Sequence, residues 1–452
     1  MKKILIKNAQ IVNEGKTLSG DLLMKNGRIE RIDPVIQGTG AETEIDAEGS
    51  YLLPGIIDDQ VHFREPGLTH KANIYSESKA GIAGGVTSFM EMPNTIPPAD
   101  THAILEQKYR TAQVTSLANF SFYLGTSNTN LEEIKKTDPA RICGIKIFMG
   151  SSTGKLVVDD STALENIFRH APTLIATHCE TDPLIKEQEN NYREKYGDAI
   201  PVSFHPVIRN EEQCLASSQL AISLAKKHDA RLHILHISTA EETALFQNTV
   251  PLKEKKITAE VCVHHLWFDS NDYERLGPMI KCNPAIKAAR HKAALLQALL
   301  DDRLDVIATD HAPHLWEEKF TLTADGKINY FKSPSGLPLL QHSFYIMLEF
   351  HRQGKISIEK IAEKMSHAPA TLFGIKQRGF LREGYAADLF LVDPKKPFTV
   401  NKNNILYQCG WSPLEGQAFP GTITHTFVNG RLVYANGIFD ESVNGMRLEF
   451  ER

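Results

Sequence analysis

The stretch Leu53-Pro54-Gly55-Ile56-Ile57-Asp58-Asp59-Gln60-Val61-His62-Phe63-Arg64-Glu65-Pro66-Gly67 decides the fold. Pro54-Gly55 is a turn signal, and Ile56-Ile57 opens an apolar run that suits a buried strand. Alternate side chains on a strand share a face, so Asp58, Gln60 and His62 are expected to point the same way. Polar groups at the C-terminal end of an apolar strand are costly to bury unless that end is a site. A lone histidine there has a plain alternative as a hydrogen-bonded interior residue. Four more strand ends downstream carry similar cargo.

Working outward, apolar strand-like runs recur at 56–62, 86–92, 119–124, 144–149, 173–178, 232–237, 257–263 and 305–309. Helix-like runs alternate with them, at 72–84, 101–113, 161–170, 211–228, 239–248, 288–300 and 356–372. Alternation on this scale predicts parallel βαβ units and an α/β chain folded as a (β/α)8 TIM-like barrel. A doubly wound open sheet is the runner-up, but it calls for a glycine-rich G-x-G-x-x-G turn that the first strand lacks. The two chain ends read differently, as short strands with hairpin turns at Asn26-Gly27 and Asn429-Gly430. Together they are expected to build one small β-sandwich. The predicted domains are therefore a sandwich part at 1–52, the barrel at 53–379 and the second sandwich part at 380–452.

A length of 452 residues allows a large domain plus a small one. The net charge of −5 gives no reason to expect nucleic acid or an anionic membrane as partner. Six cysteines lie at 143, 179, 214, 262, 282 and 409 without a C-x-x-C pair, so disulfides are not expected and a cytoplasmic location fits. Lys2-Lys3-Ile4-Leu5-Ile6-Lys7 has too short an apolar run for a signal peptide. No segment has the ~18 apolar residues of a membrane span.

Chemistry is carried by the strand ends. Lys146 lies inside Gly144-Ile145-Lys146-Ile147-Phe148-Met149-Gly150, where an ammonium must be neutralised, paired or modified. A Schiff-base lysine, a carboxylated lysine bridging two metals, and a lysine reaching out to pair with an acid are all open. His178, His236 and Asp310 end the runs 174–178, 232–236 and 306–310. With His62 they place imidazole and carboxylate at one rim, a donor set suited to Zn2+. Each has a structural alternative; Asp310 could be a helix N-cap, for example. His233 faces away from His236 and reads as a packed residue. His264-His265 is a further pair that could line the pocket. Arg64, Asn94 and His314 lie just beyond strand ends, and the planar fork of Arg64 suits a carboxylate.

These residues form a pattern that resembles the amidohydrolase superfamily and, within it, the dihydroorotases. The resemblance spans nearly the whole chain. It rests on Val61-His62-Phe63-Arg64-Glu65-Pro66-Gly67, Met92-Pro93-Asn94-Thr95, Lys281-Cys282-Asn283-Pro284 and Thr309-Asp310-His311-Ala312-Pro313-His314. It implies His62, Lys146, His178, His236 and Asp310 as metal ligands, with Lys146 carboxylated and one or two Zn2+ per chain. It also implies Arg64, Asn94 and His314 as holders of a substrate carboxylate, Asn283 on a substrate-contacting loop, and Asp310 as the catalytic general base. One departure matters. Where the family opens its first strand with His-x-His, this chain has Gln60-Val61-His62, so Gln60 is a weak or absent ligand and the first metal position is expected to be the weaker.

The implied activity is reversible interconversion of N-carbamoyl-L-aspartate and L-dihydroorotate, the ring-closing step of pyrimidine synthesis. The implied partner is a small substrate bearing a carboxylate, and a homo-oligomer is compatible with it. The Gly-Ile-Lys-Ile-Phe-Met-Gly setting of Lys146 is closer to dihydropyrimidinases, which raises a rival class of hydantoinase- or allantoinase-like enzymes. A non-enzymatic rival is an inactive dihydroorotase-like scaffold, which has no reason to keep Lys146, His178, His236 and Asp310 together.

Overall fold

In the computed structural model, which describes residues 3–150, 156–442 and 444–452, the opening run forms the fully buried strand Ile56–Val61. Seven more strand positions follow it: Val86–Glu91, Asn119–Phe122 continued by Leu124–Gly125, Ile145–Phe148, Ile175–His178, Leu232–Ile234, Ile257–Cys262 and Val306–Ala308. Each pairs in parallel with the next. At Tyr123 the third strand changes partner: its N–H goes to the Glu91 carbonyl, and that of Leu124 to Gly144. The ring closes where Val61 bridges His311 and the His62 N–H donates to the His311 carbonyl at 2.7 Å. The predicted barrel is therefore present, and parallel pairing brings all eight C-terminal ends to one rim.

The helices between strands arise where apolar spacing and caps agree. Ile74–Ala83 and Glu211–His228 each start with an asparagine capping box, at Asn73 and Asn210. Two helices have no apolar stripe to announce them. Asp182–Tyr196 buries only Ile185, and Ser343–Arg352 is buried on nearly every side. The helix expected over 239–248 is one turn, Ala240–Thr243, because the chain then turns Phe246 into the core.

The chain ends pair into one nine-stranded sheet. Lys3–Asn13, Lys16–Lys25, Arg28–Asp33, Thr43–Asp46 and Tyr51–Pro54 come from the start. Leu389–Asp393, Thr422–Val428, Arg431–Ala435 and Ile438–Phe439 come from the end. Leu389–Asp393 joins the halves by pairing antiparallel with Tyr51–Pro54. This sheet has its own core of residues such as Leu22, Leu52, Leu389 and Phe427. The Asn26-Gly27 and Asn429-Gly430 turns stack on each other, and a Cβ on Gly430 would lie 2.6 Å from the Gly27 Cα. Only glycine permits that approach. Residues 444–452 leave the sheet and run back along the barrel: Leu448 N–H donates to Phe120 O, and Arg447 bridges Phe120. Among the described residues, no helix is long and apolar enough to cross a membrane.

Candidate active site

At the rim lies a cavity of about 410 Å3. The ten residues that the resemblance implies as ligands or substrate contacts all line it: Gln60, His62, Arg64, Asn94, Lys146, His178, His236, Asn283, Asp310 and His314. Five lining residues are Lys or Arg (64, 146, 209, 281 and 332) against two acids, Glu189 and Asp310, so the cavity favours an anionic guest.

Two pairs of side chains are turned on each other along one wall. His62 Nδ1 is 2.7 Å from Asn94 Oδ1, an acceptor, so that nitrogen carries the proton. The lone pair of Nε2 then faces Asp310 Oδ1 at 3.1 Å. Burial holds His62 below its usual pKa. On the far side, His178 Nε2 lies 3.1 Å from Glu180 Oε2, which also accepts from Arg209 at 2.6 Å. Although burial alone would raise it, the nearby Arg209 charge brings Glu180 down to about 2. Its carboxylate accepts a hydrogen bond from the His178 Nε2–H, leaving the lone pair of Nδ1 to face His236 Nε2 at 2.9 Å. Burial and the neighbouring His178 push His236 well below the usual histidine range.

Lone pairs at 2.9 and 3.1 Å fit neighbouring ligands around a small divalent ion with bonds of ~2.0–2.2 Å. Nitrogen and carboxylate donors of this kind suit zinc. Lys146 is almost fully buried and interacts electrostatically with both Asp310 and His236. Burial brings its pKa down to about 7, so a large fraction of the amine is uncharged near neutrality. An uncharged amine can take up CO2; an ammonium would oppose the cation. The donor set thus fits a metal with a carboxylated Lys146.

The other wall is built around Arg64. Its Nε donates to Pro313 O at 3.1 Å, which fixes the plane of the guanidinium. Nη2 lies 3.1 Å from His314 Nε2. Lys71 Nζ, paired with Glu318 at 3.0 Å, donates to His314 Nδ1 at 3.2 Å. Burial and the Arg64 charge hold His314 well below its usual pKa, so it stays neutral. Asn283 faces the same space, and its Oδ1 has no hydrogen-bond partner among the described residues.

Some expectations are corrected. Asp58, expected on one face with Gln60 and His62, does not line the cavity with them. The strand register is irregular between Asp58 and Val61, and Asp58 instead binds Thr309 Oγ1 at 2.6 Å. His264 and His265 do not line the cavity; both are buried behind it, with His265 Nε2 donating to Pro284 O at 3.1 Å. His233 is packed as expected, 3.2 Å from Asp59 and 3.4 Å from Glu260. Asp59–His233–Glu260 and His264–His265–Cys282 are compact groups of ligating atoms, but neither belongs to the cavity lining.

Sequence reasoning missed several cavity residues. Arg209 lines the cavity and carries no local signal in its own stretch; its partner Glu180, two residues after His178, lies behind the lining. His205, Tyr330 and the segment 331–336 also line the cavity. Lys281 straps that segment down by donating to Tyr330 O and Ser333 O, both at 2.6 Å.

Comparison with known proteins agrees with this geometry. The amidohydrolase family model matches residues 51–433. A dihydroorotase of Methanosarcina acetivorans is 31% identical, with 98% of this chain and 94% of that protein aligned. An allantoinase of Bacillus velezensis is 32% identical over 96% of this chain and 94% of its own length. The L-hydantoinase (dihydropyrimidinase) structure from Arthrobacter aurescens superposes with a TM-score of 0.90 at 26% identity, covering 97% of this chain and 98% of that one. The chain therefore belongs to the amidohydrolase family, as a hydrolase acting on cyclic amides.

Proposed function

We propose that this hydrolase is a dihydroorotase, interconverting L-dihydroorotate and N-carbamoyl-L-aspartate in pyrimidine biosynthesis. The observation that carries the reading is Arg64, buried in the cavity wall with its plane fixed by Pro313 O. A buried guanidinium needs an anion, and a ring bearing a carboxylate supplies one. Hydantoin, dihydrouracil and allantoin have no carboxylate, so the hydantoinase- and allantoinase-like rivals leave Arg64 without purpose.

In this reading Arg64, Asn94, His314 and Asn283 hold the substrate by its carboxylate and ring edge. That fixes the reacting amide against the opposite wall. His62, Lys146 in carboxylated form, His178, His236 and Asp310 would hold one or two zinc ions. When bound, zinc supplies Lewis acidity, polarising the ring carbonyl and acidifying water. Asp310 accepts the proton of the attacking water and returns it to the ring nitrogen as the amide bond breaks. The reverse direction uses the same groups in the opposite order.

The test is a substrate comparison with the zinc-loaded protein. Hydrolysis of L-dihydroorotate should exceed that of dihydrouracil, hydantoin and allantoin. Faster turnover of any of the three unsubstituted rings would overturn the assignment.

A further inference from the structure

Three cavity residues, Arg64, His236 and Asp310, have left-handed backbones, with φ of 68°, 41° and 46°. Residues with a Cβ avoid that region unless their surroundings over-determine it. In each case the surroundings include a buried carboxylate from the next strand around the barrel.

Glu91, ending Val86–Glu91, accepts the N–H of Phe63, immediately before Arg64, at 3.0 Å. Glu260, in Ile257–Cys262, accepts the N–H of His236 itself at 3.0 Å. Asp58, in Ile56–Val61, accepts the N–H of Thr309, immediately before Asp310, at 3.3 Å and its hydroxyl at 2.6 Å. The three acids are almost completely buried, and each is itself pinned. Glu91 pairs with buried Lys108 at 2.8 Å. The second oxygen of Glu260 faces His233 at 3.4 Å, and Asp58 also accepts from Gln60 N–H at 3.2 Å.

The bonds sit where the strand ladders stop. Leu235 N–H still donates to Thr177 O, and Ile237 N–H to Glu260 O, but the amide between them has only the Glu260 side chain. A buried amide without a partner is costly, so the acid determines which way the chain turns there.

We propose that Glu91, Glu260 and Asp58 are positioning residues, one for each of Arg64, His236 and Asp310, each holding the backbone N–H of that residue or of the one before it so that the side chain enters the cavity. This rests on the roles proposed above for Arg64, His236 and Asp310. It assigns each acid the function of the residue it braces, which general destabilisation would not reproduce.

The experiment compares Glu91→Ala, Glu260→Ala and Asp58→Ala with Glu91→Gln, Glu260→Gln and Asp58→Asn, whose amide oxygens can still accept. Loss of Glu91 should raise KM for L-dihydroorotate by about tenfold or more with zinc content unchanged. Loss of Glu260 should weaken zinc retention about 10–100-fold in a chelator competition. Loss of Asp58 should lower kcat with little change in KM. The amide variants should recover most of each loss. Equal losses of all three properties in every alanine variant, or amides no better than alanines, would overturn the inference.

Arg64→Ala, His236→Asn and Asp310→Asn are run alongside. If these direct variants show the assigned KM, zinc and kcat losses but the brace variants do not, only the inference fails. If the direct variants do not separate, the proposed roles and the inference fall together. Should an alanine variant not fold, hydrogen exchange of the wild-type chain decides. The amides of Phe63, His236 and Thr309 should be as protected as those of Leu235 and Ile237; exchange at loop-like rates would overturn the inference.

Discussion

Gln60 Oε1 faces the thiol of Cys262 at 3.6 Å, past the one strand, Val306–Ala308, that separates them in the barrel. Gln60 occupies the place of the first histidine in the dihydroorotase pattern, yet its oxygen is engaged by Cys262, two strands away. A neutral amide is already a poorer zinc ligand than imidazole. The first metal position, with His62 and Asp310, should therefore be the weaker one, and mild chelation should empty it before the position at His178 and His236. Replacing Gln60 by His should bring the zinc content toward two per chain. Metal analysis after graded chelation checks this; two ions leaving the wild type at the same rate would count against it.

Arg64→Ala should act mainly on binding. Loss of charge-assisted hydrogen bonds to a carboxylate costs about 1.5–3 kcal/mol, or roughly 10- to 150-fold in kcat/KM. Any turnover of dihydrouracil should be unaffected, because that ring has no carboxylate to lose. Steady-state kinetics on both substrates provide the comparison, and an equal fall on both would remove Arg64 from the carboxylate site.

Lys146 should gain a carboxyl group from CO2 as the pH rises through about 7, the value to which burial brings it. Only the uncharged amine reacts, and the uncharged form dominates above that pH. A carbamate signal in 13C NMR, with labelled bicarbonate and zinc present, should grow across pH 6–8. Its absence, or full activity in Lys146→Ala, would show that the lysine works unmodified.

Glu180 should make the fold acid-sensitive. Its folded pKa, lowered to about 2, lies below the ordinary glutamate value of 4.5. A depressed carboxylate stabilises the fold above its unfolded pKa, and that contribution is lost as pH falls through the folded one. For so buried a group the gain is on the order of 3 kcal/mol, shed between about pH 4.5 and 2. Arg209→Met removes the largest cause of the depression. It should lower Tm at neutral pH and flatten the Tm profile over that acid range. An unchanged acid limb would mean that other carboxylates govern it.

The amino-acid sequence alone determined the barrel, because eight apolar runs of strand length, separated by helical spacing, have few other ways to bury themselves. It also named ten cavity residues, since a histidine, lysine or aspartate ending a buried strand stands out against its apolar neighbours. The Asn26-Gly27 and Asn429-Gly430 hairpins were legible for a similarly local reason: φ above zero at both turn residues demands such types. What is not local was not legible. Strand alternation put Asp58 on one face with Gln60 and His62, but Asp58 is absent from the cavity lining and is engaged by Thr309 of the adjoining strand. Arg209, the partner of Glu180, lies 29 residues away on another element, and nothing in its own stretch marks it. The same holds for the pairing of Glu91 with Phe63, Glu260 with His236 and Asp58 with Thr309. Each is an acid in an apolar strand, visible as an oddity, but its acceptor role exists only where barrel closure brings the adjoining strand's free N–H within reach. Such contacts depend on strand order and register, which are properties of the closed sheet rather than of any one segment.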